Sequence, residues 1–261
     1  MSDKFFSQDG RCVTSFTKNE VHAKSRNYFR IDQDRFNKVK LNTIFDNIKN
    51  NLCPNEKIEF SEFENRINNL KTNISKNNET KNISNNILIP FFLPKIKIDD
   101  IGETLEQKFF PALQKSFKSS LPDYEFVNHQ KESLKNKIKI RQNTRYEKLL
   151  SELSKRNIVG LISPSLNEFS FPAALDTIPN LPPELIGSGG LEILAGLIGC
   201  PNLLHRDDGY PPLLWFTSSH EVDDENIGYH VEAYGNNLTF NRRAHLSQAA
   251  EYWWHSLTII D

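Results

Sequence analysis

The chain has 261 residues, 38% of them apolar and 25% charged, with 18 Phe and 3 Trp. That is enough apolar material to core one large or two modest domains, which excludes a wholly disordered chain and a disulfide-stapled miniature. The net charge of −1 conceals a division: residues 1–160 hold 29 Lys/Arg against 20 Asp/Glu and residues 161–261 hold 3 against 13, so a half of +9 is joined to a half of −10.

The longest mostly apolar stretch, Ile87 to Pro94, falls far short of the roughly 20 residues a bilayer helix needs, so no membrane partner is expected. The opening MSDKFFSQDG lacks the apolar run of a secretory signal. Cys12, Cys53 and Cys200 are odd in number and scattered, which suits neither a disulfide framework nor a zinc ligand set; they read as free thiols, and the expected location is the cytoplasm.

Two helical patterns open the chain. Leu41, Ile44, Phe45, Ile48 and Leu52 recur at helical spacing, and Phe60, Phe63, Ile67, Leu70 and Ile74 follow alternating steps of three and four. Cys53-Pro54-Asn55 breaks the pattern between them. The spacing predicts an antiparallel helical hairpin over about 35–75, inside an N-terminal unit 1–80 that ends in the polar run 76–86. An α+β domain, 87–261, is expected to follow.

Within that domain Ile87–Leu93 reads as a strand and 103–119 as a helix that Pro111 should kink or break. Tyr124–Val127 and Lys135–Ile140 read as strands, the second alternating Lys and Ile as a half-buried edge does. Thr144 and Glu147 have capping-box spacing ahead of a helix with Tyr146, Leu149, Leu150 and Leu153 on one face. Asn157–Ser163 reads as a buried strand, and four prolines then predict irregular chain to about 185. Gly187-Ser-Gly-Gly190 opens a short apolar helix, and Leu213–Thr217 reads as a strand.

With Gly235-Asn236 as the turn of a C-terminal hairpin, Ala233 faces Leu238, Val231 faces Phe240, Glu232 faces Thr239 and His230 faces Asn241, which gathers the apolar side chains on one face. The last element is expected to be a helix, Ser247–Leu257, on which Tyr252, Trp253 and Trp254 would span about 200° and could not all face one core. Arg242 and Arg243 are placed to stack on these rings or to pair with the acidic segment.

Candidate chemistry concentrates between residues 205 and 232, where three histidines and seven carboxylates fall within 28 residues. His205, Asp207, His220, His230 and Glu232 are the candidate acid/base residues, and His230 and Glu232 share a strand face. The spacing matches no zinc signature, so no metal or other cofactor is assigned. His205-Arg-Asp207 lacks the downstream Asn of a kinase catalytic loop, Gly187–Gly190 lacks the Lys-Ser/Thr of a P-loop, and Ser188 lacks the Gly-x-Ser-x-Gly frame.

The leading expectation is therefore a non-enzymatic interaction or assembly protein, docking to a protein partner or to itself through the stripe Phe60, Phe63, Ile67 and Leu70 and through Trp253 and Trp254. The alternative is nucleic-acid binding by the densest basic segment, 131–156, through Lys131, Lys135, Lys137, Lys139, Arg141 and Arg145. Its weakness is the shortage of aromatic rings to stack bases. A hydrolase centred on the His/acid cluster is the third reading.

Overall fold

In a computed structural model of the chain the described residues are 4–206, 209–210 and 212–261. An N-terminal segment leads to helix α1 (Gln33–Asn37), capped by the Asp32 side chain, and then to α2 (Leu41–Leu52) and α3 (Phe60–Lys76). Strand β1 (Ile89–Leu93) precedes a continuous helical stretch made of α4 (Ile101–Thr104), a π-helical turn (Leu105–Phe109) and α5 (Phe110–Ser120). Strands β2 (Phe126–Asn128) and β3 (Ile138–Ile140), helix α6 (Tyr146–Leu153), strand β4 (Ile158–Asn167) and helix α7 (Phe171–Thr177) follow. The remainder is β5 (Ile186–Gly187), α8 (Gly190–Gly199), β6 (Leu213–Trp215), β7 (Ser219–Glu221), β8 (Gly228–Tyr234), β9 (Asn237–Arg243) and β10 (Trp253–Ile260).

Among the described residues an eight-stranded mixed sheet runs β1-β4-β10-β6-β8-β9-β2, with β5 also on β10, while β3 pairs with β7 in a small second sheet. The chain is thus α+β, but its last element is a strand at the middle of the sheet and not the expected helix. The run Trp-Trp-His-Ser-Leu-Thr-Ile-Ile is rich in aromatic and β-branched residues that fit a pleated surface. Alternation sends Trp253 and His255 to one face and Trp254 to the other, and both faces are covered, so both Trp rings are buried.

One face carries the helices. Helix α8 is apolar all round and buried at every residue, lying between the sheet and helices α2 and α5. Both early helices form where their spacing predicts, with Ile44, Phe45, Ile48 and Leu52 of α2 and Phe63, Ile67, Leu70 and Ile74 of α3 buried. Helix α2 packs chiefly on α8, β1 and α5, and α3 on β4 and the turn 81–85, more than on each other. One apolar cluster takes in both helices and the sheet without a break at residue 80. The charged halves also meet inside the molecule: Arg11 bonds buried Glu168 at 2.7 Å and Arg26 bonds Glu251 at 2.8 Å.

Proline effects are resolved locally. The missing Pro111 amide is accommodated by the π turn before it, where the Phe110 amide reaches back to the Leu105 carbonyl. Pro90 sits on the edge strand β1. Pro164 lies inside central β4, which continues past the expected end because the β4–β10 register shifts between His255 and Leu257, a bulge that removes the need for a donor at Pro164. The region expected to be irregular contains α7, which Ser170 caps by accepting from the Ala173 amide at 3.3 Å, with Pro172 in the first turn. The capping box at Thr144 does not form; its hydroxyl donates to the Arg141 carbonyl.

Gly102 marks the tightest approach in the fold, since a Cβ there would lie 1.9 Å from the Leu134 carbonyl oxygen. Backbone blocks the space, so Gly102→Ala must shift α4 away from the 129–137 segment. A loss of about 2–3 kcal/mol is expected in urea unfolding; an unchanged midpoint would show that the contact yields easily.

The C-terminal hairpin has the expected register, with Ala233 opposite Leu238, Val231 opposite Phe240, Glu232 opposite Thr239 and His230 opposite Asn241. Gly235 and Asn236 both adopt positive φ, 56° and 68°, as a type I′ turn requires. The far face, which carries His230, meets a second cluster of Phe171, Leu213, Trp215, Leu246 and Trp253, with Trp215 4.9 Å from the His230 ring.

Candidate functional site

No helix among the described residues is long and apolar enough to cross a membrane. The residues expected to dock a partner lie inside: Phe63, Ile67, Leu70, Trp253 and Trp254 are buried, and Phe60 is packed edge-on to Phe45. Of the basic candidates, two are structural. Arg145 donates to the carbonyls of Pro179, Leu181, Pro182 and Leu185, fastening the proline-rich loop. Arg141 lies over the Phe171 ring at 5.0 Å and donates to the Glu225 carbonyl. Lys135 pairs with Glu103 at 3.0 Å, and Lys139 is exposed on β3.

The five acid/base candidates do not converge. Asp207 lies outside the described residues, His205 packs against Tyr124, and His220 on β7 donates from Nδ1 to the Glu221 carbonyl oxygen at 2.7 Å. His230 and Glu232 do meet, with Nε2 3.3 Å from Oε1. No group of three or more His, Cys, Asp or Glu among the described residues is arranged to hold a metal.

Register explains the surroundings of that pair: His255, Trp215 and His230 stand side by side across β10, β6 and β8. Burial pushes the His230 imidazole below its ordinary value, and the hydrogen bond from His230 together with nearby Arg243 holds the Glu232 carboxyl below the usual range. A neutral imidazole donating from Nε2 to Glu232 leaves Nδ1 as a lone pair, and Nδ1 has no partner. This is the order of groups in a base and its orienter. Yet His230 has no exposed surface, so the dyad is a polar seam in a packed face.

Open space lies at the other side of the hairpin. A cleft of about 490 Å³ runs between the segment 129–137 and the Gly228/Arg243 end of β8–β9, lined among others by His129, Lys131, Lys137, Glu221, Tyr229 and Arg242. Tyr229 and Arg242 are direct partners in the hairpin register. Glu221 reaches them because the turn after β7 folds back, its amide bonding the Ile227 carbonyl. Tyr229 donates its hydroxyl to Glu221 Oε2, and Arg242 Nη1 binds the same oxygen at 2.8 Å.

Glu221 and Tyr229 are 5% and 1% exposed while the Arg242 side chain is 48% exposed, so a buried carboxylate anchors a guanidinium that projects into the cleft. Burial and the Glu221 charge push the Tyr229 phenol far up, keeping it a donor, and Glu221 raises Arg242. The opposite wall is built: the Ser133 hydroxyl and Leu134 amide bind Glu106, the Asn136 amide binds Asp100, and the His129 amide extends β2 onto Phe240. Lys131 has no ion-pair partner among the described residues, and Lys137 has only exposed Glu132 at 4.0 Å. With Lys131, Lys137 and Arg242 against Glu132 and Glu221, the lining carries +1.

Lys131 and Lys137 were visible in the sequence as part of a basic run, but Tyr229 and Glu221 were not singled out. Their signal was in the hairpin register, which sets Arg242 opposite Tyr229. Arg243, for its part, lies 5.9 Å from the ring centres of Tyr252 and Trp253. Comparison of the chain with protein-family models, curated proteins and solved structures gives no match.

Proposed function

We propose that the protein binds a small phosphate-bearing anion in the cleft between the 129–137 segment and β8–β9. The observation that carries this reading is the guanidinium of Arg242, held by buried Glu221 at 2.8 Å on the wall of a cleft of about 490 Å³. Such a volume suits a metabolite-sized ligand. A carboxylate that fixes one edge of an arginine leaves its other donors preorganised for the planar recognition that phosphate favours. Lys131 and Lys137 add mobile positive charge on the facing wall.

A small ligand is favoured over a polynucleotide because two of the six basic candidates are committed to backbone carbonyls and no Phe, Tyr or Trp other than the bonded Tyr229 lines the cleft for base stacking. It is favoured over docking through the N-terminal stripe because that would require Phe63, Ile67 and Leu70 to leave the core.

Titration calorimetry with pyrophosphate as the probe tests the reading. Saturable binding is expected, weakening with salt and at least tenfold weaker in Lys131→Glu/Lys137→Glu, at an exposed and a partly exposed position, and in Arg242→Lys. Absence of heat at millimolar pyrophosphate, or equal affinity in the double variant, would overturn it. So would tighter, aromatic-dependent binding of single-stranded RNA.

A further inference from the structure

The cleft between the 129–137 segment and β8–β9 offers charge for one phosphate and hydrogen bonds for something attached to it. Its lining carries +1, and Glu221 is already shared between Tyr229 and Arg242. A phosphate monoester, at about −1.5 to −2 near neutral pH, is therefore the largest phosphate anion that this wall comes near to balancing. A second phosphoryl group would find no further Lys or Arg in the lining and would approach Glu132, whose side chain is 85% exposed.

The rest of the lining is polar, reachable and unpaired. The β2–β9 pairing ends at Asn128 and Phe240, and the His129 amide makes a further bond to the Phe240 carbonyl. Past that point the two chains part around the cleft, with Gln130 on one wall and Asn241 on the other. Asn241 Oδ1 accepts from the Arg242 amide at 2.9 Å, which orients the side chain and leaves Nδ2 as a donor without a partner among the described residues. The Gln130 backbone amide is held by Asn128 Oδ1 at 2.9 Å, while its side chain, able to donate and to accept, bonds nothing among the described residues. Gln130 and Asn241 are partly exposed and Glu132 is exposed, so all three can meet a ligand from solvent.

Apolar recognition is closed off in the same lining. Tyr229, the one Phe, Tyr or Trp there, is 1% exposed, and Leu134, the one aliphatic side chain, is buried with it. Neither offers a face for stacking a base or seating a hydrocarbon chain.

Resting on the phosphate reading above, we propose that the ligand is a phosphate monoester of a sugar or other short polyol. Arg242, Lys131 and Lys137 take the phosphate, and hydroxyls of the carbon chain bond Asn241 Nδ2, the Gln130 amide and the Glu132 carboxylate. A hydroxyl both donates and accepts, and so suits a wall that presents a fixed donor, an acceptor and a group able to do either. The cleft volume of about 490 Å³ lies in the range of metabolite pockets.

Titration calorimetry of the full chain with ribose 5-phosphate, glucose 6-phosphate, propyl phosphate, AMP and pyrophosphate tests the assignment. One of the sugar phosphates should bind about tenfold or more tightly than propyl phosphate, which has the same charge and no hydroxyl. Gln130→Ala and Asn241→Ala should each cut that margin by about threefold or more while moving propyl phosphate by less than about twofold. A merely structural role would weaken every ligand alike. Sugar phosphates no tighter than propyl phosphate, a margin untouched by both variants, or AMP tighter than ribose 5-phosphate would overturn the polyol assignment, and pyrophosphate binding would show that the phosphate reading survives it. Absence of heat from every probe, pyrophosphate included, would overturn the phosphate reading and this assignment with it.

Discussion

Glu192→Leu is expected to destabilise the protein by about 3–5 kcal/mol, more than any surface change. Glu192 is fully buried near the start of α8, and its carboxyl accepts from the Gly189 amide at 2.6 Å, the Tyr146 hydroxyl at 2.8 Å and the Thr258 hydroxyl at 3.0 Å. Thr258, its own proton given to Glu192, accepts from the Ser188 hydroxyl at 2.8 Å. The network therefore joins α6, the glycine-rich turn, α8 and the central strand β10 through one side chain. Leucine fills the volume but leaves an amide and a phenol unpaired in a dry interior, and Gly189 has no side chain with which to replace the lost cap.

Glu192→Gln separates hydrogen bonding from shape. The glutamine carbonyl can still accept from the Gly189 amide, and the hydroxyls can rotate to accept from its NH₂ group. Its cost should be only about 1–2 kcal/mol. Equal urea midpoints for the leucine and glutamine variants would sink this account of the network.

The second large effect concerns acid. His255 is fully buried with Nδ1 2.9 Å from the Thr217 hydroxyl, and burial pushes it down to about 3, with nearby Arg141 opposing protonation further. Phe171 and Trp215 supply the apolar rings against it. His230 is also depressed by burial, despite Glu232, with Arg243 adding repulsion. Because the folded value lies below the unfolded one, the stability these groups contribute is complete above about pH 6.5 and is lost as the pH falls.

For His255 alone the slope is about 1.4 kcal/mol per pH unit below that point, or about 2 kcal/mol by pH 5. Glu232, Glu251 and Asp261, held below their ordinary values by His230, by Arg26 and by Arg66 respectively, lose their contribution only below about pH 4.5. The interval from about pH 6.5 to 5 therefore lies above these three carboxylates, while Glu192, which burial pushes up, works in the opposite sense there, so the imidazole contribution is read as the difference between wild type and a histidine variant. Urea unfolding across it should show the decline, and His255→Phe should flatten it while costing about 1 kcal/mol at neutral pH through the lost Thr217 bond. A pH profile over this interval that is the same in wild type and His255→Phe would rule the account out.

Both effects arise on residues that look ordinary in the chain. Glu192 reads as a lone acid in an apolar helix, and His255 as a histidine beside two tryptophans. Their consequences depend on helices α6, α7 and α8 and on strands that meet them only in the fold. The cleft is similar: the register that opposes Tyr229 to Arg242 was readable, but the return of Glu221 onto that pair, and the wall that segment 129–137 places across from it, required the β7 turn and the contact of Leu134 with Gly102.

What local chemistry controls was therefore legible without the fold. The 3.6-residue spacing of α2, α3 and α6, the buried strand after Asn157 and the hairpin register around Gly235-Asn236 all follow from periodicities and turn residues that act over a few positions. Tertiary structure alone decided the rest. The segment Trp253–Ile260 became a central strand, and not a helix, because open edges of β4 and β6 received it. The basic and acidic halves meet within one chain, through Arg11 on Glu168, Arg26 on Glu251 and an apolar cluster that draws on both. The apolar stripes became core because the sheet they cover is built largely from strands later in the chain. Those outcomes depend on partners 40 to 225 residues away, and no local pattern encodes which distant edge or charge a segment will meet.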